Sequence, residues 1–342
     1  MNYLDRLNKE LRLEHDKVFD SNTGLLKNEV AEYLYECPAC GNKTSKLYAI
    51  KDGFKHDECL RCGFIYVNPR LNKEATIAFY NSPVNEVYNE TKFHDNNSSI
   101  SLDNQLNLEN YKKVITHVKS VENKTLLEIG PGGGAFLRKA HTDKFRVHAI
   151  ELNKTLIDKL APYCEKIYTS DILSLELEDN FYDVIYFRDV MEHIPNVNAF
   201  LTKIRSILKP GGILFIDTHN IDSLINKATR EYHTVLFAFE HPVHWSPTTL
   251  KIAAERVGLS HVKTYFDDID FSLANILHYR LNPSFTYIYP PNKGGINNLF
   301  LKCLLGLLKL PVIRRIDKEV SSRVALLMKK GAKMQLVFTK LV

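Results

Sequence analysis

Long apolar stretches are missing from this chain of 342 residues. No run approaches the ~20 residues that a bilayer-crossing helix needs, so no membrane span is expected. Residues Met1 to Glu14 alternate Lys/Arg with Asp/Glu and lack an apolar stretch, so no secretory leader is expected there. No internal repeat is present, which excludes stacked-repeat architectures. Tryptophan occurs once, at Trp245, and the chain has only 6 cysteines. Four of those cysteines stand in C-x-x-C pairs, which fits a reducing compartment better than a disulfide framework. A cytoplasmic location is the expectation.

What is present is an ordinary globular mixture, 44% apolar and 25% charged. The length allows one full α/β domain with one or two appendages. The net charge of +5 conceals an asymmetry. Residues 271–342 carry twelve Lys/Arg against only Asp317 and Glu319, which leaves the remainder net acidic. A basic segment on an acidic body suggests an anionic surface or an anionic substrate.

Glycine is sparse, yet four of the 15 fall between positions 130 and 134. The stretch Thr125-Leu-Leu-Glu128-Ile-Gly130-Pro-Gly132-Gly-Gly134 reads as an apolar strand entering a side-chain-free turn before a helix. Glycine tolerates positive φ and lets backbone approach a ligand closely. The spacing alone also fits a dinucleotide fingerprint, Gly130-x-Gly132-x-x-Ala135. Strands are expected at 125–129, 146–150, 166–168, 182–187, 212–217, 262–267 and 334–340, with helices between them. That alternation implies a mostly parallel sheet covered on both faces. Residues 1–34 read as a charged helical segment with a turn at Ser21–Gly24, and 35–70 as a cysteine module. Residues 71–105 read as a short helix (Lys73 to Tyr80) plus a polar linker or lid, and 106–342 as the main domain. The main domain opens with a helix expected over Leu108–Ser120, and another is expected over Pro247–Val257.

Glu128 stands two residues before the first glycine, placed to hold an ammonium group or water at a strand end. The strand Arg146–Ile150 ends in Glu151, about the ~20-residue distance at which an acid accepts ribose hydroxyls. The segment Ile207-Leu-Lys-Pro-Gly-Gly-Ile-Leu-Phe-Ile216 reads as a helix end, a tight turn and a buried strand. Together these motifs resemble the class I S-adenosylmethionine-dependent methyltransferases, in which E-x-G-x-G-x-G opens the site and L-K-P-G-G leads into the fifth strand. The resemblance spans roughly 106–266. It implies a Rossmann-like α/β sheet, mostly parallel, whose last strand runs antiparallel, with 270–332 inserted in the final hairpin. It further implies that Gly130, Gly132 and Gly134 lie against the methionine part of S-adenosylmethionine. Glu151 would accept from the ribose, Asp171 from the adenine amino group, and Ile172 would pack on the ring. Arg188 or Asp189 would close the methionine side, while Asp183 reads as a structural carboxylate.

Cys37-Pro-Ala-Cys40-Gly and Cys59-Leu-Arg-Cys62-Gly match the spacing of a four-thiolate zinc ribbon. Four thiolates make a closed tetrahedral site with no open position for chemistry, so the expected Zn²⁺ is structural. The run Gly63–Pro69 resembles the segment joining such ribbons to methyltransferase domains in bacterial small-molecule and glycan methyltransferases. Basic residues near the ribbon are balanced by Asp52, Asp57 and Glu58, so nucleic acid is not the expected partner.

Methyl transfer to a hydroxyl needs alignment, exclusion of water and a base. His193, in Asp189-Val-Met-Glu192-His193, is the first candidate because its ordinary pKa lies near neutrality. His241, in Glu240-His-Pro-Val-His-Trp245, is the second; His244 and Trp245 are expected to pack the loop. Asp189-x-x-Glu192-His193 with distant His241 also resembles the metal-binding set of small-RNA 2′-O-methyltransferases, which would hold Mg²⁺ or Mn²⁺.

The apolar run Leu299–Ile313 is too short to span a bilayer and is followed by Arg314, Arg315 and Lys318. Residues 296–318 could therefore contact a membrane peripherally, with Tyr279, Phe285, Tyr287 and Tyr289 lining an acceptor pocket. The leading expectation is O-methylation of a small molecule or of a glycan (polysaccharide) precursor. An RNA 2′-O-methyltransferase and a non-catalytic zinc-ribbon binding protein are the alternatives.

Overall fold

The computed structural model describes residues 3–87, 98–268, 271–281, 288 and 299–341. Helix α1 (Tyr3–Val18) places Leu7, Leu11 and Val18 with Phe19 against Phe54. The cysteine segment follows as strands β1 (Ala31–Glu32), β2 (Ser45–Lys51), β3 (Phe54–Cys59), β4 (Ile65–Val67) and β5 (Arg70–Leu71). β1 pairs with β5 and closes the base of this unit. β2, β3 and β4 form an antiparallel meander. Helix α2 (Lys73–Tyr80) starts where the Asn72 side chain accepts from the Ala75 N–H.

Helix α3 (Ser98–Ile115) differs from the helix expected over 108–120, because it starts inside the stretch taken as a linker. Asparagines normally favour turns, but Asn107 and Asn110 are buried here and bonded to Tyr186 and Asp217. Tertiary partners outweigh their weak helix propensity. The rest of the expected linker, 88–97, lies outside the described residues.

The main domain then alternates as expected. It runs β6 (Thr125–Ile129), α4 (Ala135–Thr142), β7 (Arg146–Ile150), α5 (Lys154–Leu160), β8 (Lys166–Tyr168) and β9 (Tyr182–Arg188). It continues with α6 (Val197–Ile207), β10 (Leu208–His219), α7 (Leu224–Thr229), β11 (Val243–His244) and α8 (Pro247–Arg256). β12 (Leu259–Asp267), α9 (Leu273–Leu281), α10 (Leu299–Leu308), α11 (Pro311–Leu327) and β13 (Lys333–Lys340) complete it. The sheet order is β12-β13-β10-β9-β6-β7-β8, parallel except for β13, which pairs antiparallel with β10 and β12. Continuous apolar runs such as Val184–Phe187 and Leu214–Ile216 are buried because helices cover both faces.

Two features depart from the sequence reading. The ribbon meander gains a fourth strand, β11, from the loop after β10. His244 is not loop packing: its Nε2 lies 3.0 Å from His56 Nδ1 inside the ribbon sheet. Trp245 packs on Phe64 with ring centroids 4.5 Å apart, and its indole N–H donates to Met191 O. One apolar core runs from Cys37, Cys59 and Phe64 to Trp245, Leu250 and Ile216. Further on, the apolar run 299–313 is divided between two helices, α10 and α11. It breaks at Pro311, which cannot continue a helix but opens the next one.

Candidate active site

The strand β6 delivers Glu128 to the carboxyl edge of the sheet, and the glycine turn follows at once. Gly132 has φ +51°, and a Cβ there would meet nothing within 4 Å, so the bend faces open space. Gly134 has φ +71° and starts α4; a Cβ would come within 2.5 Å of Leu160. Any other residue would be strained at that φ and would have to displace the Leu160 side chain.

Glu128 is buried, and its Oε2 has no hydrogen-bond partner among the described residues. Burial, and secondly the Glu151 carboxylate, push its pKa up to about 8. A buried acceptor without a donor is costly, so a cationic or N–H group would be stabilised there. Glu151 is buried at the tip of β7 and accepts the Asn153 N–H at 2.8 Å. Asp171 is exposed and accepts the Leu173 N–H at 2.7 Å, while the next residue, Ile172, is buried. Asp183 sits at the other end of the sheet and accepts from Lys124, Lys209 and the Thr125 N–H.

At the tip of β9, Arg188 donates to Asp103 Oδ1 at 2.6 Å and lies near Asp189 and Asp217. Asp103 belongs to the first turns of α3, and Asn104 lies 3.7 Å from where a Gly133 Cβ would stand. That helix therefore borders the glycine bend at Gly133. Asp189 adopts φ +54° and is ion-paired with Lys333, the first residue of β13. Burial opposes ionisation of Asp189, but Lys333, His219 and Arg188 outweigh it and hold its carboxyl below the usual range.

The histidines gather next to this edge. His193 Nδ1 lies 2.9 Å from Glu240 O and 3.0 Å from Tyr80 Oη. A carbonyl can only accept, so Nδ1 carries the proton and Nε2 is the basic nitrogen of the neutral ring. His241 Nδ1 likewise lies 2.9 Å from Val235 O, which leaves its Nε2 basic. The His193 and His241 rings are 4.8 Å apart, and His219 is 5.9 Å from His241. Burial, then His193, lowers the His241 pKa; burial, then Lys333, lowers that of His219. Glu192 is buried, accepts from Thr218 at 2.9 Å, and is pushed up to about 7 by burial and by Asp189.

The metal-like set read from the sequence is not what converges. Asp189 and Glu192 come together with His219, ligand atoms within 4.8 Å, instead of with His193 and His241. The Lys333 ammonium already sits against Asp189, so a cation is supplied by the chain itself. None of Asp103, Asp217, His219 and Lys333 was expected as a site residue. His219 lies two residues past the expected strand 212–217, and Lys333, expected only as one of the tail's basic residues, lies 144 residues from its partner Asp189.

Cys37, Cys40, Cys59 and Cys62 converge in the ribbon, with Sγ–Sγ separations of 3.7 Å (Cys37–Cys62) and 3.6 Å (Cys40–Cys59). Tetrahedral sites with Zn–S near ~2.3 Å require about this spacing. The N–H groups of Gly41 and Gly63 turn back to the carbonyls of Cys37 and Cys59. These residues fit a structural Zn²⁺.

The profile of a methyltransferase domain family matches residues 106–264. The ubiquinone biosynthesis O-methyltransferase of Rickettsia felis is 23% identical over 170 residues, covering 48% of this chain and 67% of that protein. That of Rickettsia typhi is 29% identical over 141 residues, covering 40% and 55%. The chain thus spans between about half and two thirds of the length of these relatives. Among solved structures, a SAM-dependent methyltransferase from Archaeoglobus fulgidus is 17% identical, covering 75% of this chain and 99% of that one, with a TM-score of 0.45. Phosphoethanolamine N-methyltransferase 2 of Haemonchus contortus is 15% identical, covering 70% and 53%, with a TM-score of 0.42. With the sheet order and the glycine bend, the profile match identifies a class I S-adenosylmethionine-dependent methyltransferase domain within this chain.

Proposed function

We propose that this chain transfers a methyl group from S-adenosylmethionine to a hydroxyl of a small-molecule acceptor. The observation that carries the reading is the buried Glu128 carboxylate, whose Oε2 has no partner among the described residues, beside a glycine bend with open space at Gly132 and histidines at the same sheet edge. When bound, S-adenosylmethionine supplies an already activated methyl on a sulfonium. The protein has to bind, align and exclude water. Gly130, Gly132 and Gly134 would admit its methionine part, with Glu128 toward the ammonium and Arg188 or Asp189 closing that side. Glu151 would accept from the ribose hydroxyls, Asp171 from the adenine amino group, and Ile172 would pack against the ring.

His241 or His193, each with Nδ1 held on a carbonyl and Nε2 basic, would take the acceptor proton. Hydroxyl methylation is favoured by the naming of the Rickettsia relatives as O-methyltransferases. The narrower choice of a glycan precursor rests on the ribbon and its following segment alone. Zn²⁺ in the ribbon would be structural, stapling β2–β4 to the main core.

Calorimetry with S-adenosylmethionine tests the site: Glu151→Ala should weaken binding by about tenfold or more, as expected for losing a charged hydrogen-bond acceptor. Unchanged affinity would remove Glu151 from the site. Methyl-labelled cofactor incubated with fractionated cell extract should place label in a small-molecule fraction; label in RNA would overturn the acceptor class.

A further inference from the structure

Helix α11 carries its apolar residues on the side turned away from the protein. Its packed face is polar or small. Asp317 accepts the Leu273 and Ala274 N–H groups at 3.0 Å each, capping α9. Ser322 donates to Asp268 O at 2.8 Å, and Ala325 is fully buried. These bonds fix the rotation of the helix. At the i, i+3, i+4 spacing of one helical face, Ile313, Ile316, Val320, Val324 and Leu327 then point outward. Ile316 is 58% exposed, Val320 57% and Leu327 84%.

Charge identifies the occupant. Arg314, Arg315 and Lys318 are exposed on the same helix, and Lys309 and Lys329 stand exposed at its two ends. Arg323 is neutralised by Glu319 at 2.7 Å. A second copy would bring these cationic residues against one another, which is repulsive. An anionic bilayer surface offers both an apolar interior for the stripe and counter-charge for the exposed cations of the same helix and its ends. Among the described residues no helix is long and apolar enough to cross a membrane, so the contact would lie in the surface plane.

We infer that α11 docks on an anionic lipid surface through Ile313, Ile316, Val320, Val324 and Leu327, with Arg314, Arg315 and Lys318 on the headgroups. The helix belongs to the connection between β12 and β13. β12 runs parallel to β6, β9 and β10, so this connection leaves the sheet at the edge that carries Glu128, Asp189 and His219. Docking therefore sets the reaction edge at the lipid surface. Resting on the proposed methyl transfer, this means the acceptor is an amphiphile or is carried on one.

The full chain is tested by flotation with mixed phosphatidylcholine–phosphatidylglycerol vesicles and with pure phosphatidylcholine vesicles. It should float with the mixed vesicles only, and lose binding as salt is raised. Arg314→Glu/Arg315→Glu and, separately, Ile316→Asp/Val320→Asp should each lower vesicle binding by about tenfold or more, with S-adenosylmethionine affinity unchanged. Failure of the wild type to float, equal flotation with neutral vesicles, or unaltered flotation of both variants would overturn the docking surface. So would a dimer in size-exclusion chromatography that only Ile316→Asp/Val320→Asp dissolves while flotation stays negative. Retained cofactor binding in any of these cases leaves the methyltransferase reading standing.

Discussion

Lys333, at the start of β13, neutralises Asp189, at the tip of β9, across the carboxyl edge of the sheet. Burial lowers the tendency of Lys333 to hold its proton, but Asp189, Asp217 and Glu192 outweigh it and raise its pKa. Asp217 is itself pushed up by burial. One ammonium thus holds three acids in a confined space.

Replacing Lys333 with Met should therefore leave acidic charge unbalanced. Asp189 is 36% exposed and Lys333 10%, so the pair lies between a surface and a buried ion pair. A loss of about 2–3 kcal/mol is expected, read as a lower urea midpoint at unchanged slope. Lys333→Arg should recover part of it. Because the chain supplies its own cation here, methyl transfer by the wild type should persist in EDTA under conditions that leave the ribbon loaded. A stable Lys333→Met variant, or turnover abolished by EDTA, would contradict this account.

Glu128 makes cofactor binding depend on pH in a defined direction. Its pKa is about 8 in the folded chain against an ordinary 4.5, so it is mostly protonated at neutral pH. A raised carboxyl pKa means that the fold binds an extra proton between those limits, and that stability from this group falls as pH rises through the window. A cationic ligand group beside Glu128 lowers that pKa, and binding releases the proton. Affinity for S-adenosylmethionine should then increase as pH rises toward about 8, by less than tenfold per unit. Calorimetry in buffers of different ionisation heat should detect the released proton, and Glu128→Gln should flatten the slope.

Trp245, the sole tryptophan, reports on the ribbon. It is 1% exposed and packs on Phe64, which follows Cys62 and Gly63. Stripping zinc, or Cys59→Ser, should redden and weaken its emission, with zinc content falling in parallel. The ribbon shares one core with the main domain, so thermal stability should drop as well. Emission and melting unchanged after complete loss of zinc would mean that the ribbon stands without a metal.

Patterns short enough to lie within one element were legible from the chain alone. The strands at 125–129, 146–150 and 166–168 agree residue for residue with β6, β7 and β8. Apolar runs bounded by turn residues admit few other readings. The glycine bend, the neighbouring acids and the four cysteines were visible because each needs a fixed local spacing. What the spacing could not specify was which distant elements meet. That the helix expected from Leu108 starts at Ser98, with Asn107 and Asn110 bonded to Tyr186 and Asp217, was not legible. The pairing of Lys333 with Asp189, of His56 with His244, and of Trp245 with Phe64 joins segments over a hundred residues apart. No periodicity encodes such contacts, because burial and charge neutralisation act only once the sheet order has brought those surfaces together. The outward turn of the α11 stripe was likewise decided in three dimensions, by Asp317 capping α9.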